Sequence, residues 1–150
     1  MITVARVSLN LKKIVINSFI YFGICFSSYV YATDYTISNG TTQTSRVTLT
    51  NNDTLTVDSG GEIDYTWPAV DADNRTFPSG TTTITNNGII EGNCCVIDIR
   101  SSTNPKLINN GTINGKSSSR TIYANNSVNA TIINNGDITI LGSSNYETID

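Results

Sequence analysis

Three segments of the sequence repeat one pattern: ITNNGIIEG (84–92), LINNGTING (107–115) and IINNGDITI (132–140). Their Asn-Asn-Gly triplets begin 23 and 25 residues apart. An apolar residue lies two positions before each triplet, and an isoleucine lies two positions after each glycine (Ile90, Ile113 and Ile138). Similar units that recur at a nearly constant period indicate a solenoid, because each unit buries its apolar side chains only against its neighbours.

A second apolar element follows each triplet, at 96–99, 121–123 and 147–149. Alternation of apolar and polar residues around Ile and Thr predicts short strands. Asn and Gly tolerate positive φ best, so each triplet predicts a tight bend. The expected turn residues are Asn86, Asn87, Gly88, Asn109, Asn110, Gly111, Asn134, Asn135 and Gly136. We also expect a degenerate unit in VTLTNNDTLTV (47–57), with Asp53 in place of the glycine.

These features predict an all-β chain, a right-handed parallel β-helix with coils of about 23–25 residues. Ile90, Ile113 and Ile138 are expected to stack in one interior column. Asn87, Asn110 and Asn135 are expected at equivalent corners, where stacked amides can form a ladder of hydrogen bonds. An antiparallel sandwich is the alternative, since Asn-Gly also favours hairpins, but hairpin turns do not usually recur at a fixed spacing with the same flanks.

Residues 1–32 have the composition of an export signal. Arg6, Lys12 and Lys13 precede a mostly apolar run at 14–26. Val30 and Ala32 then provide small residues for cleavage between Ala32 and Thr33. A membrane anchor is the alternative, but the run is interrupted by polar residues and is shorter than the roughly 20 residues that a spanning helix needs.

The composition excludes several classes of function. Thr, Asn and Ser make up 57 of the 150 residues, and the segment 33–150 carries twelve acidic and six basic residues, a net charge of −6. Such acidity argues against nucleic-acid binding, which needs clustered Lys and Arg. The chain has no histidine, so it cannot hold a Ser-His-Asp triad or a His-ligated metal. We therefore expect no catalytic residue, metal site or cofactor.

Cys94 and Cys95 are adjacent. Neighbouring cysteines rarely form a disulfide with each other, because disulfide geometry requires a longer Cα–Cα distance than one peptide step provides. A metal site would need further ligands, and the sequence shows none nearby. We expect at least one of the two thiols to be buried as a small apolar side chain.

The least repetitive segment is 62–77, which contains Tyr65, Trp67, Asp71 and Asp73. These residues predict a possible ligand-contact loop, since aromatic faces can stack on sugars. A carboxylate pair for glycoside hydrolysis would need a separation of roughly 5–9.5 Å. The favoured interpretation is a loop between coils, with Trp67 covering the apolar end of the stack and the acids in solvent. The carboxylates are spread through the sequence at about one per unit, which argues against catalysis.

The export signal followed by Ser/Thr/Asn-rich units of the form I-x-N-N-G-x-I-x-G resembles the N-terminal part of an autotransporter passenger. The resemblance implies a β-helix that is exported by Sec and crosses the outer membrane through a β-barrel, which nothing in this sequence matches. We therefore expect a fragment with three parts: a signal peptide at 1–32, an N-terminal cap or irregular first coils at 33–80, and β-helix repeats at 81–150 truncated at the C-terminus.

The expected function follows from this resemblance. The chain would be a surface-exposed, adhesin-like scaffold without catalytic activity, located at the cell surface, in the outer membrane or outside the cell, with the periplasm as a transit compartment. Its possible partner is a host-surface or glycan ligand, and nucleic acid is not expected. The alternative is a parallel β-helix that binds or degrades polysaccharide.

Overall fold

A computed structural model describes residues 32–50, 52–73, 81–117, 120–141 and 148–150. Within these ranges the chain forms fourteen strands and no helix. The expected signal peptide lies outside the described residues except for its last position, Ala32. Among the residues that the structure describes, no helix is long and apolar enough to cross a membrane.

The strands form three sheets in which every pairing is parallel. The first sheet contains β1 (Asp34–Ile37), β4 (Thr54–Val57), β7 (Thr83–Asn86), β10 (Lys106–Asn109) and β13 (Thr131–Asn134). The second contains β2 (Thr42–Gln43), β5 (Glu62–Asp64), β8 (Ile89–Gly92), β11 (Thr112–Gly115) and β14 (Asp137–Ile140). The third contains β3 (Val47–Thr48), β6 (Val70–Asp71), β9 (Ile97–Asp98) and β12 (Ile122–Tyr123). The predicted parallel β-helix is confirmed, and the antiparallel sandwich is wrong.

Each of the first four coils contributes one strand to each sheet, and a fifth coil contributes β13 and β14 to the first two sheets. Equivalent residues of the first sheet lie 20, 29, 23 and 25 positions apart along the chain, at Asp34, Thr54, Thr83, Lys106 and Thr131. The coils before residue 74 therefore pair in the same sheets as those after residue 80. What distinguishes the earlier coils is their uneven length.

Interior columns of aliphatic side chains run along the stack. Ile63, Ile90 and Ile113 are paired in register and fully buried, and Ile138 continues the column in a partly buried position. The predicted Ile90–Ile113–Ile138 column is thus confirmed. Burying one such side chain contributes about 1.5–3 kcal/mol. The other two sheets supply similar columns: Leu55, Ile84 and Leu107, and Val70, Ile97 and Ile122.

The Asn-Asn-Gly corners are tight for a different reason from the one predicted. None of the triplet residues has positive φ; among the described glycines only Gly40 and Gly60, in the first two coils, do. Instead, a Cβ at Gly111 would overlap the carbonyl oxygen of Gly88 directly below it, and a Cβ at Gly136 would overlap that of Gly111. Glycine is required because successive corners stack backbone against backbone.

The first asparagine is fully buried in the first two triplets, at Asn86 and Asn109, whereas Asn134, in the last coil, is exposed. Asn86 pairs with Val57, and the same column begins at Ile37. The link from the first to the second sheet is two residues shorter in the Asn-Asn-Gly coils than in the first two coils. The register also shows that the degenerate unit predicted at 47–57 is wrong: the counterpart of Gly88 is Gly61, whereas Asp53 lies before β4.

Candidate functional site

The predicted aromatic residues lie in or beside the link between β5 and β6, on the second coil. Trp67 is 56% exposed, and Tyr65 packs partly buried against the core. The interpretation that Trp67 covers the end of the stack is therefore wrong, because this link lies on the flank between two coils. The Tyr65 N–H donates to the Glu91 carbonyl oxygen of the next coil at 3.2 Å.

The two predicted acids are paired with arginines. Arg46 Nη1 lies 3.2 Å from Asp71 Oδ2, and Arg46 Nη2 donates to the Trp67 carbonyl oxygen at 2.7 Å. Asp73 lies 3.7 Å from Arg100 Nη2, and only 12% of its side chain is exposed. Arg46 thus links Asp71 to the Trp67 backbone, whereas Asp73 faces the following coil. The expectation that these acids are simply solvated is wrong.

The outer face of the third sheet carries a charged and aromatic cluster that sequence reasoning missed. Asp98 is 4% exposed and accepts hydrogen bonds from the Arg100 guanidinium at both carboxylate oxygens, from Nε to Oδ1 at 2.9 Å and from Nη2 to Oδ2 at 2.6 Å. The hydrogen bonds that the Arg100 guanidinium donates to Asp98 raise its pKa. Arg100 and Arg120 also lie 4.4 and 4.8 Å from the centroid of the Tyr123 ring. Such cation–π contacts stabilise the two guanidinium groups within the protein, so the cluster does not need a bound ligand to balance its charge.

A second cluster lies on the outer face of the second sheet. Carboxylate oxygens of Glu62, Asp64 and Glu91 lie within 4.8 Å of one another, because β5 and β8 are paired in register. Lys116 Nζ lies 2.8 Å from Asp64 and 2.7 Å from Glu91. The expectation that carboxylates are scattered at one per coil is therefore wrong on this face: residues 27 positions apart in the sequence become neighbours.

The electrostatics of this second cluster favour an ion-pair network. The hydrogen bond from Lys116 is the main cause of the lowered pKa of Glu91, and hydrogen bonds to Asp64 and Glu91 raise the pKa of Lys116. A glycosidase acid requires a carboxyl group with a raised pKa, so Glu91 is tuned in the opposite direction. Three carboxylates also suit a hard cation, but here the Lys116 ammonium supplies the positive charge.

Removing the ammonium tests this interpretation. In Lys116→Met we expect the pKa of Glu91 to rise, because its strongest hydrogen-bond donor is lost and the neighbouring acids remain. The lowered pKa means that Glu91 stabilises the fold above its unfolded pKa and loses this contribution as the pH falls through the folded pKa. The effect on unfolding is at most about 1 kcal/mol, because the pair is partly exposed. A carbon-13 NMR titration of Glu91 measures the pKa, with exposed Lys106→Met as the control; an unchanged pKa would refute the network.

Ladders of asparagine side chains run along the corner between the first and second sheets. Asn110 Nδ2 donates to Asn87 Oδ1 at 2.9 Å, and Asn135 Nδ2 donates to Asn110 Oδ1 at 2.9 Å. The predicted outer ladder is confirmed. An inner ladder runs in the opposite direction, from Asn86 Nδ2 to Asn109 Oδ1 and from Asn109 Nδ2 to Asn134 Oδ1, each at 2.8 Å.

The two cysteines lie in the link between β8 and β9. Cys95 is buried and Cys94 is half-buried, as expected, and their Sγ atoms are 3.2 Å apart as free thiols. Cys95 has a φ of 48°, and its N–H donates to the Arg120 carbonyl oxygen at 2.7 Å. Burial raises the pKa of the Cys95 thiol to about 12, which makes it a weak nucleophile at neutral pH.

No protein-family model, curated protein or solved structure matches this chain significantly. The fold is therefore established by the strand pairing alone. The described site residues form ion pairs within and between coils, and the asparagine ladders join successive coils.

Proposed function

We propose that this chain is an exported β-helical passenger segment of a bacterial autotransporter, a surface scaffold without catalytic activity. The observation that carries the proposal is the strand pairing: each pairing joins consecutive coils in one register. A fold built from nearest-neighbour contacts can grow from one end, coil by coil. This property suits a chain that emerges unfolded through an outer-membrane barrel.

Two further observations support the proposal. The described cysteines are adjacent and free, so they form no long-range crosslink that would hinder passage of an unfolded chain. The charged side chains of the two outer clusters are paired within the protein, as in Lys116 with Glu91 and Arg100 with Asp98. A scaffold whose surface charges are paired in this way presents a polar face that is stabilised by contacts within the protein.

An export assay tests the proposal. The full chain joined to a periplasmic reporter enzyme is expected to give reporter activity in a Gram-negative host, and joining it ahead of an autotransporter barrel is expected to expose its epitopes on the cell surface. The control is Ile20→Asp, which interrupts the apolar run at 14–26. Reporter activity that is unchanged in the control, or epitopes that stay inside the cell, would contradict the proposal.

A second candidate function is polysaccharide binding, favoured by the exposed ring of Trp67 beside the Arg46–Asp71 ion pair. Trp67 is the single tryptophan of the chain, so its fluorescence reports directly on this loop. Polysaccharide binding predicts a saturable change in emission that is lost in Trp67→Ala. The scaffold proposal predicts no change with neutral or acidic polysaccharides.

A further inference from the structure

A buried carboxylate at the start of the second coil contacts the backbone nitrogen of Thr33, which immediately precedes the first coil. Asp53 is 2% exposed, and its Oδ1 accepts a hydrogen bond from the Thr33 N–H at 2.7 Å. Its Oδ2 accepts hydrogen bonds from the Thr50 N–H at 2.7 Å and from the Thr50 hydroxyl at 3.0 Å. All three donors in the described part of the chain are uncharged, although a carboxylate buried this deeply ordinarily has a cationic partner.

The corner itself does not require an acid. Asp53 immediately precedes β4, and the residues that precede the next three strands of the first sheet are Thr82, Pro105 and Ala130. These coils form the same corner without a charge. The carboxylate is present only in the coil that stacks directly on Thr33, which immediately precedes β1.

We propose that Asp53 is the receptor for the α-ammonium group that cleavage between Ala32 and Thr33 creates, so that removal of the leader locks the first coil onto the second. This inference rests on the proposed function, because it requires the export signal to be cleaved at that bond. Hydrolysis consumes one water molecule: its hydroxyl completes the carboxyl group of Ala32, and the Thr33 nitrogen becomes an amine that is protonated at neutral pH.

The existing geometry suits this change. The Thr33 nitrogen already donates to Asp53, so the new ammonium keeps a donor in place and replaces a hydrogen bond from an uncharged amide with an ion pair. The Thr33 carbonyl oxygen accepts from the Thr54 N–H at 3.0 Å, which is the first rung between β1 and β4. Fixing Thr33 therefore also fixes the edge at which the stack begins.

The pH dependence has a defined sign. Asp53 is the titratable group that the described structure places in contact with the Thr33 nitrogen, and Asp34 follows it in the chain. A neighbouring carboxylate raises the pKa of an amine. The stabilisation is therefore fully present below the unfolded pKa of the amine, about 8, and is lost as the pH rises through the higher folded pKa.

The experiment compares the full-length precursor with the processed protein recovered from an exporting host, after N-terminal sequencing. At pH 6 we expect processing to raise the equilibrium constant for folding roughly tenfold to hundredfold. Acetylation of the processed N-terminus, or raising the pH to 11, is expected to remove this gain. In Asp53→Asn, processing is expected to give little gain, whereas in the control Asp34→Asn, at an exposed position, the gain should remain.

An equal gain in the Asp53→Asn and wild-type chains, or no gain in either, would overturn the inference while leaving export intact. A processed chain that begins at another residue would overturn both the inference and the assigned cleavage site. If Asp53→Asn weakens the precursor itself, the acetylated wild-type chain still isolates the contribution of the charge.

Discussion

Replacing Asn109 with aspartate is expected to destabilise the fold by about 3–5 kcal/mol, the largest effect of any single change that we predict. Asn109 is fully buried and lies in the middle of the inner ladder. Its Nδ2 donates to Asn134 Oδ1 at 2.8 Å and to the Asp137 carbonyl oxygen at 3.1 Å. A carboxylate of the same shape would face these two oxygens without a proton to donate.

The adjacent residue provides a matched control. Asn110 belongs to the outer ladder, where its Nδ2 donates to Asn87 Oδ1 at 2.9 Å at an exposed position. Asn110→Asp makes the same chemical change in water, and we expect it to cost about 1 kcal/mol or less. Urea unfolding of both variants measures the difference.

The pH dependence distinguishes a buried charge from a general packing defect. Burial raises the pKa of the introduced carboxyl group, so Asn109→Asp should regain stability as the pH falls and the group becomes protonated. Equal losses in Asn109→Asp and Asn110→Asp, or a loss that does not change with pH, would contradict the buried ladder.

The second large effect is expected for Gly111→Ala, which should cost about 3 kcal/mol. The added Cβ would overlap the carbonyl oxygen of Gly88, a backbone atom that cannot rotate away. Relieving the overlap requires the corners of two coils to separate. That separation would lengthen the hydrogen bond from the Thr112 N–H to the Gly88 carbonyl oxygen, which is 2.9 Å.

Gly40→Ala is the control for this substitution. Gly40 has a φ of 75°, but no atom lies within 4 Å of the position of an added Cβ. The cost at this site is conformational and amounts to about 1 kcal/mol. Thermal unfolding of the two variants tests the explanation: if Gly40→Ala is as costly as Gly111→Ala, the overlap with the Gly88 carbonyl oxygen does not explain the requirement for glycine at position 111.

The period of the Asn-Asn-Gly units was sufficient to predict the stack, because units with the same turn and the same Ile spacing must place equivalent residues above one another. Ile90, Ile113 and Ile138 confirm this. The first two coils were harder to recognise. Their corners contain Gly40 and Gly60 in a longer link, so Val57 occupies the position that Asn86 has in the next coil.

The clusters on the outer faces could not be read from the sequence for a related reason. Glu91 meets Asp64, and Tyr123 meets Arg100, only after the length of each coil is known. The second coil is the longest, with 29 positions between the paired residues Thr54 and Thr83. A constant period of 23–25 residues therefore does not predict which residues before β7 pair with those after it. The requirement for glycine in the triplets also depends on the stack, because an added Cβ would overlap a carbonyl oxygen of the neighbouring coil.

Methyl NOE spectroscopy of the isoleucines tests the central claim that the Asn-Asn-Gly units stack as parallel coils. The account predicts NOEs from Ile90 to Ile113 and from Ile113 to Ile138, because parallel neighbours lie about 4.8 Å apart. A hairpin at each triplet would instead pair the strands on its two sides within one unit. Cross-strand backbone NOEs between residues 84–86 and 89–91, together with absence of the Ile90–Ile113 and Ile113–Ile138 NOEs, would contradict the account.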